Sequence, residues 1–346
     1  MESVNKLILV SPLPPPIGGI SSWTQEVMER MPQLGCEVLL VNSGIVGERV
    51  NNDKKVNIAD EIKRALAIKK KIKAFLKTED TRTLHYNASC FTMGLIRDTV
   101  ILFSLRKKAD IIYHCHCNLD TNVNNPVAKF FFKVICRISK KILALNANSL
   151  SFAQKYTDKA LIIPNFIEKV CVDEASVRQE LKDIAFVGRV TEDKGVLELL
   201  EASKEIEDIN IHIIGPDENN LLGNCDAENI IKVGPKSHDK VLEILKNMDA
   251  LILPSYSEGF PLVILEAMAC GLPIISTPVG SVPDMIEKEG GILIKLKDSD
   301  SIKDAVEKIK PQDVRVKMAH HNLEKVKREY LSETVLKTLL EIYGEA

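Results

Sequence analysis

Two carboxylates, Glu258 and Glu266, stand eight residues apart in a segment whose pattern predicts a ligand-binding turn. The apolar run Ala250–Leu253 is typical of a buried strand, and the good helix formers of 262–270 predict a helix after the intervening loop. A helix that begins after a strand offers unpaired N–H groups and a partial positive charge to a phosphate. Glu258 falls in the loop before that helix, and Glu266 falls about one turn into it.

Carboxylates beside an anion site suit a ligand that has both phosphates and hydroxyls. Carboxylates accept hydrogen bonds from sugar hydroxyls, whereas a helix N-terminus binds phosphates. A nucleotide-sugar has both parts. Gly259 would let the backbone come close to such a ligand, and Phe260 follows it in the same turn. The spacing alone fits equally well an ordinary strand–helix–strand unit with two surface glutamates.

Two cations follow a second predicted strand. The apolar run 184–187 ends in Gly188 and Arg189, and Lys194 comes five residues later, before a helical run at Val196–Ser203. Both side chains would lie at the carboxyl end of a strand, where open α/β sheets bind ligands. Arg binds phosphate through a planar fork and Lys as a point charge, so the pair could hold a diphosphate and stabilise it as it leaves. Any single Lys or Arg is more often a solvated surface cation.

Together these motifs resemble the E-x7-E region and the Gly-Arg…Lys-Gly pair of retaining glycosyltransferases with the two-domain GT-B fold, the glycogen-synthase and sucrose-synthase type. The resemblance covers most of the chain and is strong from about residue 163 to residue 293. It implies that Glu258 lies at the donor sugar and that Glu266 binds the nucleotide ribose. It also implies that Gly259 and Phe260 present backbone N–H groups, and that the cation pair lies at the diphosphate.

The amino-terminal half has weaker signals of the same kind. A short apolar strand, 7–10, is followed by Gly18 and Gly19 before a predicted helix from Ser21. A Gly pair can bring N–H groups close to a phosphate, although most such pairs are only turns. The resemblance implies a Gly-Gly loop that faces donor and acceptor. No G-x-G-x-x-G occurs, so a nicotinamide or flavin site is not supported.

A histidine is expected near the end of a strand in this half. Residues 111–118 read IIYHCHCN, and strand alternation puts His114 and His116 on one face. Zinc is disfavoured because no second Cys or His cluster exists to complete a tetrahedral site. The resemblance implies a His close to the donor sugar, for which His116 is the best match, His114 the second and His85, taken as the end of the preceding strand, the third. Each could instead be a hydrogen-bonded core residue.

The sequence predicts no resident cofactor and no required metal, with the nucleotide-sugar as co-substrate. Asp298 and Asp300 have the spacing of the metal-binding D-x-D of a different glycosyltransferase fold, but they precede a helical run from Ile302, which favours an N-cap. Arg189, Lys194 and the helix N-terminus would supply the positive charge that Mg²⁺ would otherwise bring.

The length of 346 residues exceeds what one hydrophobic core usually holds, which predicts two domains. Strands alternate with helices throughout, so we expect an α/β protein with two Rossmann-like parallel-sheet domains. In a GT-B fold these domains face each other across a cleft. The predicted domains are 1–168, on the acceptor side, and 169–331, which binds the donor. A final helix, about 332–343 within the terminal segment 332–346, is expected to pack back on the first domain.

The net charge of −2 hides an asymmetry between the two halves. Residues 1–170 hold 25 Lys and Arg against 15 Asp and Glu, whereas the remainder holds 21 against 33. The cations concentrate at 63–77, 106–108 and 129–141 beside Ile, Leu or Phe at helical spacing, a pattern typical of a helix on an anionic membrane surface. Segment 63–77 is the favoured contact, while much of the apolar face of 129–141 is expected to be core. No motif indicates binding to nucleic acid.

The sequence shows neither a signal peptide nor a run of 18 apolar residues, and its eight cysteines follow no disulfide pattern. We therefore expect a cytoplasmic protein, peripheral on the inner face of the cell membrane. The hypothesis is a retaining, metal-independent glycosyltransferase that moves a sugar from a nucleotide-sugar to a hydroxyl of a glycan or lipid-linked saccharide, in the synthesis of lipopolysaccharide or capsule. A nucleotide-sugar 2-epimerase of the same fold and a non-catalytic scaffold remain alternatives; the scaffold is disfavoured because both glutamates and both cations are present.

Overall fold

The computed structural model describes residues 5–15, 18–44, 58–172, 174, 176–225 and 227–345. The chain divides into two compact units: Met1–Asn165 with Ser332–Ala346, called unit 1, and Phe166–Leu331, called unit 2. Each unit contains a parallel sheet of six strands. The predicted α/β class with two parallel-sheet domains is therefore confirmed. The boundary predicted after residue 168 lies three residues beyond the division at Asn165.

Unit 1 alternates strands with helices along the chain. Its strands are β1 (Lys6–Ser11), β2 (Glu37–Asn42), β3 (Thr83–Ala88), β4 (Asp110–Cys115), β5 (Lys141–Ala144) and β6 (Ala160–Ile162). The helices between them are α1 (Gly19–Arg30), α2 (Ile58–Thr78), α3 (Thr92–Phe103), α4 (Leu119–Asn122), α5 (Pro126–Ile138) and α6 (Ala147–Gln154). The first helix begins two residues earlier than the predicted start at Ser21.

The strand order of unit 1 is β2-β1-β3-β4-β5-β6. The chain moves outward from β1 to β2 and then returns to the other side of β1 at β3. The order reverses there, so the carboxyl ends of β1 and β3 border the crevice where open α/β sheets bind ligands. Strand β1 is apolar from Leu7 to Val10, as expected for a sheet covered on both faces, and these four residues are fully buried.

Unit 2 repeats this architecture. Its strands are β7 (Asp183–Val187), β8 (Asn210–Ile214), β9 (Ile230–Lys232), β10 (Ala250–Leu253), β11 (Ile274–Ser276) and β12 (Gly291–Leu293). Its helices are α7 (Val196–Ser203), α8 (His238–Leu245), α9 (Leu262–Ala269), α10 (Val282–Ile286), α11 (Ser299–Ile309) and α12 (Gln312–Lys325). The order β12-β11-β10-β7-β8-β9 reverses between β7 and β10, the strands that precede the two predicted ligand loops.

Short single-turn helices complete both units. They are the 3₁₀ turns Met31–Leu34, Glu192–Lys194 and Leu221–Asn224 and the π turn Val326–Tyr330. Within the described ranges, every helix is too short or too polar to span a membrane.

Helix α13 (Ser332–Gly344) belongs to unit 1 although it follows unit 2 in the chain. The hydroxyl of Tyr343 lies 2.6 Å from Nδ1 of His85, and Lys141 forms an ion pair with Glu345 at 3.2 Å. The buried side chains of this helix are Ser332, Val335, Leu336, Leu339, Ile342 and Tyr343. The final helix therefore contributes to the core of unit 1.

Candidate active site

In unit 2 the predicted site residues lie around the carboxyl ends of β7 and β10. Gly188 and Arg189 follow β7 directly, and the loop 254–261 leads from β10 into α9. The N–H of Tyr256 donates to the carbonyl of Asp193 over 2.8 Å, which ties the two loops together. This edge is the point at which the strand order reverses, the usual place for a ligand in an open α/β sheet.

Two glycines allow the loops of this edge to approach more closely than a side chain would permit. A Cβ on Gly195 would lie 2.1 Å from the carbonyl oxygen of Pro254, and one on Gly280 would lie 2.1 Å from that of Glu258. Both glycines have a positive φ, of 70° and 55°, which other residues rarely adopt. The position of the Glu258 loop therefore depends on glycine at both of these neighbours.

Glu258 and Lys194 form an ion pair. Lys194 Nζ lies 2.6 Å from Glu258 Oε1, and the two side chains are only 19% and 12% exposed. The family resemblance implies the diphosphate for the cation and the sugar for the carboxylate, and the structure brings both side chains together. Partly buried charges are costly unless they are compensated, so the pair stabilises both groups at this edge of the sheet.

Arg189 is the more exposed of the two predicted cations. Its Nη2 lies 4.0 Å from a carboxylate oxygen of Asp193, and 60% of each side chain is exposed. An ion pair of that length in water contributes little to stability. The guanidinium fork can therefore turn toward an incoming anion at small cost.

Glu266 is the fifth residue of α9 and is 9% exposed. Its Oε1 lies 2.9 Å from Nε2 of His238, the first residue of α8. The sequence analysis missed His238, which is 28 positions from Glu266 in the chain. Nothing in the sequence around His238 indicates that helix α8 begins beside α9. A carboxylate has about four acceptor positions, so Glu266 keeps acceptor capacity beside this contact.

Gly259 and Phe260 lie just before α9 rather than in its first turn. Ser281 N–H donates to the carbonyl of Gly259 over 3.0 Å, which fixes the loop from the side of α10. The ring of Phe260 is buried, with its centroid 5.9 Å from that of Tyr330. Phe260 therefore anchors the loop through its side chain, a role that the sequence prediction, limited to its backbone, did not include.

Three shielded side-chain oxygens at this edge have no hydrogen-bond partner among the described residues. They belong to Thr191, Glu198 and Ser255. The other carboxylate oxygen of Glu198 accepts a hydrogen bond from the hydroxyl of Tyr256 over 2.6 Å. Buried polar atoms are normally paired, so these oxygens indicate where a polar ligand or bound water can complete the hydrogen bonding.

A cavity of about 1020 Å³ lies elsewhere in unit 2, between α7 and the segment 221–229. It contains none of the predicted site residues. We place the candidate site at the carboxyl ends of β7 and β10 instead, because the paired charges, the loop glycines and the unpaired oxygens all lie there.

The two aspartates with D-x-D spacing have structural roles. Asp298 Oδ1 accepts a hydrogen bond from the N–H of Ser301 over 2.9 Å at the start of α11, so the predicted N-cap is confirmed. Asp300 forms an ion pair with Lys303 at 3.2 Å. The contacts of both carboxylates thus lie within helix α11 and at its start.

Among the described residues, one group has side chains close enough together to bind a metal ion. It consists of Glu287, Glu289 and His321. The ammonium of Lys325 lies 2.5 Å from one carboxylate oxygen of Glu287 and lowers the pKa of that carboxyl. A protein cation thus already compensates this carboxylate, which weakens its case as a metal ligand.

In unit 1 the predicted Gly pair lies at the start of α1, after β1. Gly18 has an extended backbone and caps the helix, whose first residue is Gly19. The N–H of Gly18 donates to the hydroxyl of Ser21 over 2.9 Å. A Cβ on either glycine would meet no atom of the described residues within 4 Å, so these residues leave room for a ligand beside the pair.

The three candidate histidines surround Asn87, near the end of β3. Asn87 Oδ1 lies 2.9 Å from His85 Nε2 and 3.0 Å from His116 Nε2, and its Nδ2 donates to Ser11 Oγ over 2.9 Å. His85 Nε2 also lies 3.2 Å from Nδ1 of His114. Asn87 is therefore the central residue of this cluster. In the sequence it is only a polar residue at the end of an apolar run, so its role could not be predicted.

Burial keeps these imidazoles neutral. It lowers the pKa of His85 to about 4 and that of His116 to about 3, and it also lowers the pKa of His114. His85 and His114 are fully buried, whereas His116 is partly exposed just beyond β4. The placement of His85 at the end of a strand was wrong, because β3 continues through it to Ala88. Of the three, His116 is the one that solvent and solutes can reach.

The sequence match to a known family falls on unit 2. Residues 173–327 match the family model described as Glycosyl transferases group 1. The match covers 155 of the 346 residues, and all of them lie in unit 2. The matched range includes the loops after β7 and β10 and therefore every predicted site residue of this unit.

Two curated relatives and one solved structure extend this finding. An uncharacterized glycosyltransferase of Methanocaldococcus jannaschii is 25% identical over 99% of this chain and 99% of its own length. The capsular polysaccharide biosynthesis glycosyltransferase CapM of Staphylococcus aureus is 27% identical over 46% of this chain and 45% of its own length. HepE of Anabaena, solved with UDP and glucose, has a TM-score of 0.74 at 13% identity, over 99% of this chain and 100% of that chain. This structural similarity shows the GT-B fold, and the group 1 domain with these relatives supports a GT-B glycosyltransferase.

Proposed function

We propose that the protein is a retaining glycosyltransferase that moves a sugar from a nucleotide-sugar to a hydroxyl of a glycan or lipid-linked saccharide in cell-surface polysaccharide synthesis. The observation that supports this most directly is the Lys194–Glu258 ion pair, with Arg189 on the adjoining loop and Glu266 on the helix that follows. Two cations, two carboxylates and a helix start match a ligand with phosphates, a ribose and a sugar. The complex of HepE with UDP and glucose and the capsular role of CapM point the same way.

Each donor part has a proposed partner in unit 2. Glu266 accepts hydrogen bonds from the ribose hydroxyls, and the first N–H groups of α9 with Arg189 hold the diphosphate. Lys194 turns from Glu258 toward the phosphates, which frees the carboxylate to accept hydrogen bonds from the sugar. The two cations neutralise the diphosphate as it leaves, in place of a divalent metal.

The proposed reaction proceeds on one face of the sugar ring. The bond between the anomeric carbon and the phosphate oxygen breaks, the acceptor oxygen bonds to the same face, and the leaving phosphate takes the acceptor proton. The pKa of His116 is lowered to about 3, so this imidazole is neutral near pH 7 and is not a general acid. Its proposed role is a hydrogen bond to the donor sugar.

We also propose a peripheral location on the anionic inner face of the cell membrane, where a lipid-linked acceptor would be found. The excess of Lys and Arg over Asp and Glu in residues 1–170 supports this location. No cofactor is expected beyond the nucleotide-sugar co-substrate.

The test is a thermal-shift panel of UDP, GDP, ADP and CMP with their sugar conjugates, applied to the wild type and to Glu266→Ala. A ligand that binds the folded state raises its melting temperature. Loss of hydrogen bonds to a charged group costs about 1.5–3 kcal/mol, so nucleotide affinity should fall by roughly ten- to a hundredfold. The matched control is Glu289→Ala, an exposed glutamate of the same unit.

Unchanged nucleotide affinity in a folded Glu266→Ala variant would contradict the ribose assignment. The reaction class is tested separately by following nucleotide release. A transferase releases nucleotide from its donor only when an acceptor is present, whereas a 2-epimerase does not need one and a scaffold releases none.

A further inference from the structure

Helices α3 and α5 of unit 1 lie side by side and expose apolar side chains. Asn125 Nδ2, at the start of α5, donates to Thr92 Oγ1 at the start of α3 over 2.9 Å. Along α3, Met93, Val100 and Phe103 fall on one stripe at helical spacing. The exposed apolar residues are Phe91, Met93, Val100, Phe103, Val127 and Phe130, which together are called the α3–α5 face.

These side chains are not needed for the core of unit 1. The core side of α5 is already apolar, with Ala128, Phe132 and Ile135 fully buried. On the opposite side, Phe130 is 62% exposed, and Val100 on α3 is 59% exposed. Both helices therefore expose large apolar side chains on the outside as well as burying them on the inside, a pattern typical of a surface that binds a partner.

Cations border this face. Lys107, Lys108, Lys129, Lys133 and Arg137 form no ion pair with any carboxylate in the described part of the chain. The guanidinium of Arg106 lies over the ring of Phe103, 3.7 Å from its centroid.

Acidic residues are few in the same stretch. Residues 91–137 hold seven Lys and Arg against three Asp and Glu. One of the three, Asp98, is buried and accepts hydrogen bonds from Tyr86 and Tyr113. The border is therefore strongly cationic.

We propose that the α3–α5 face docks the protein on an anionic phospholipid bilayer. Exposed aromatic and aliphatic side chains enter the boundary between headgroups and acyl chains, while the cations bind the lipid phosphates. The proposal rests on the membrane location given above and identifies the surface that provides it. A second copy of the chain is disfavoured as occupant, because a symmetric contact through this face would bring two cationic borders together.

The proposed surface differs from segment 63–77, which the sequence favoured as a membrane contact and which stays a prediction. Helix α2 places Ile68 and Ile72 in the core, and among its residues from 59 onward the exposed large apolar ones are Ile62 and Leu66, near its start. Its lysines therefore adjoin little exposed apolar surface. The segment 129–141 does contribute core residues as expected, but it also presents Phe130.

The experiment is sedimentation of the full chain with two kinds of vesicle, phosphatidylcholine alone and phosphatidylcholine mixed with phosphatidylglycerol. Wild type is expected to bind the mixed vesicles and to be released by high salt. The double variant Val100→Ser, Phe130→Ser keeps every charge and should lower the partition coefficient at least about tenfold. The double variant Lys129→Gln, Lys133→Gln should weaken binding to the mixed vesicles and remove much of its salt dependence.

Two control variants test whether the effect is local. Leu296→Ser with Val316→Ser removes apolar side chains of 44% and 46% exposure from unit 2 and should leave vesicle binding unchanged. Replacing Lys69, Lys70 and Lys71 by Glu should have a smaller effect than the serine pair on α3 and α5. Light scattering of the wild type without lipid is expected to give the same oligomeric state as the serine variant.

Several outcomes would overturn the proposal. The first is a wild type that sediments with neither kind of vesicle, and the second is a variant Val100→Ser, Phe130→Ser that binds vesicles as well as the wild type does. The third is release of the protein from vesicles by the change of Lys69, Lys70 and Lys71 to Glu alone. The fourth is a wild-type oligomer that the double serine variant dissociates. The thermal shift with the panel of nucleotides and nucleotide-sugars is measured on all variants as a separate readout. A wild type that no member of the panel stabilises would count against the proposed transferase. A variant that no longer binds vesicles but keeps the wild-type thermal shift isolates the docking surface.

Discussion

Lys194 and Arg189 differ in how they are held, and this difference bears on the proposed metal independence. Lys194 is paired with Glu258 at 2.6 Å and mostly buried, whereas Arg189 is exposed beside Asp193 at 4.0 Å. In the proposed reaction Lys194 must turn from Glu258 to reach the leaving diphosphate, whereas Arg189 has only a long, exposed contact to give up. If both side chains neutralise the leaving group, replacing either of them should lower the rate of sugar transfer more than the removal of free metal ions does.

We therefore predict that Arg189→Ala and Lys194→Ala each lower the rate of sugar transfer by roughly a hundredfold or more, the usual effect of removing one preorganised donor at a developing charge. Excess chelator should leave the wild-type rate nearly intact. Lys204→Ala, an exposed cation of the same unit, is the control. Loss of activity on chelation that Mg²⁺ or Mn²⁺ restores would contradict the role given to the two cations.

Gly280 is one of the two glycines on which the position of the Glu258 loop depends. At φ 55° a Cβ there would lie 2.1 Å from the carbonyl oxygen of Glu258, so Gly280→Ala must shift that backbone. Because a displacement of about 1 Å can cost a hundredfold in rate, we predict a loss of transfer of at least roughly tenfold together with a lower melting temperature. Gly94→Ala is the control, since its Cβ would meet only an Arg97 side chain at 3.9 Å. A normal rate in Gly280→Ala would show that the loop tolerates the shift.

At the scale of elements, the sequence predicted best what local patterns determine. The bounds of β10 and α7 agree with the predicted runs, because Pro254 ends the apolar strand and Gly195 precedes the helix. The helix formers of 262–270 likewise placed Glu258 in the loop and Glu266 in the helix that is α9. These features depend on residues that are close in sequence, where turn formers and helix formers act directly.

Contacts between distant segments could not be predicted in this way. The partner of Glu266, His238, is 28 positions away, and that of His85, Tyr343, is 258 positions away. The end of β3 was misplaced because Asn87 is polar, although it is buried and hydrogen-bonded to Ser11. From the sequence alone, a polar residue is expected to be exposed. Only the fold provides the hydrogen-bond partner that allows such a residue to be buried.

The buried position of His85 in β3 predicts an acid-sensitive unit 1. Burial lowers its pKa from 6.5 to about 4, so between these pH values the unfolded chain binds a proton that the folded chain does not. The contribution to stability is complete above pH 6.5 and falls as the pH drops toward 4, by up to roughly 3 kcal/mol for this residue. His85→Asn should therefore flatten the pH dependence of unfolding.

The measurement is urea unfolding at several pH values, followed by fluorescence. The chain has one tryptophan, Trp23, whose ring stacks on His85 with centroids 5.3 Å apart. Its emission therefore reports on unit 1. His320→Asn, a change at an exposed histidine of unit 2, is the control and should keep the wild-type slope. An equal slope in His85→Asn and wild type would show that other groups cause the acid sensitivity.

At the scale of the whole molecule, chain order and spatial order differ. Unit 2 is one continuous segment, Phe166–Leu331, whereas unit 1 is completed by the terminal segment Ser332–Ala346. The charges follow the same division, with an excess of cations in residues 1–170 and of carboxylates in the remainder. The proposed membrane face and the proposed donor site thus lie on different units, which can be perturbed separately.

Removal of residues 332–346 should for this reason destabilise unit 1 and spare donor binding by unit 2. The deletion takes away five buried apolar or aromatic side chains of α13 and leaves His85 Nδ1 without the hydroxyl of Tyr343. Since one large-to-small change in a core costs about 2–5 kcal/mol, Leu339→Ala alone should shift the Trp23 unfolding transition to clearly lower urea, and the deletion should shift it further.

Lys337→Ala, at an exposed ion pair with Glu333, should change stability by less than about 1 kcal/mol. The thermal shift by whichever nucleotide of the panel stabilises the wild type should persist in the deletion variant, because every proposed donor contact of unit 2 lies before residue 332. An unchanged Trp23 transition after deletion would mean that α13 is not part of the core of unit 1.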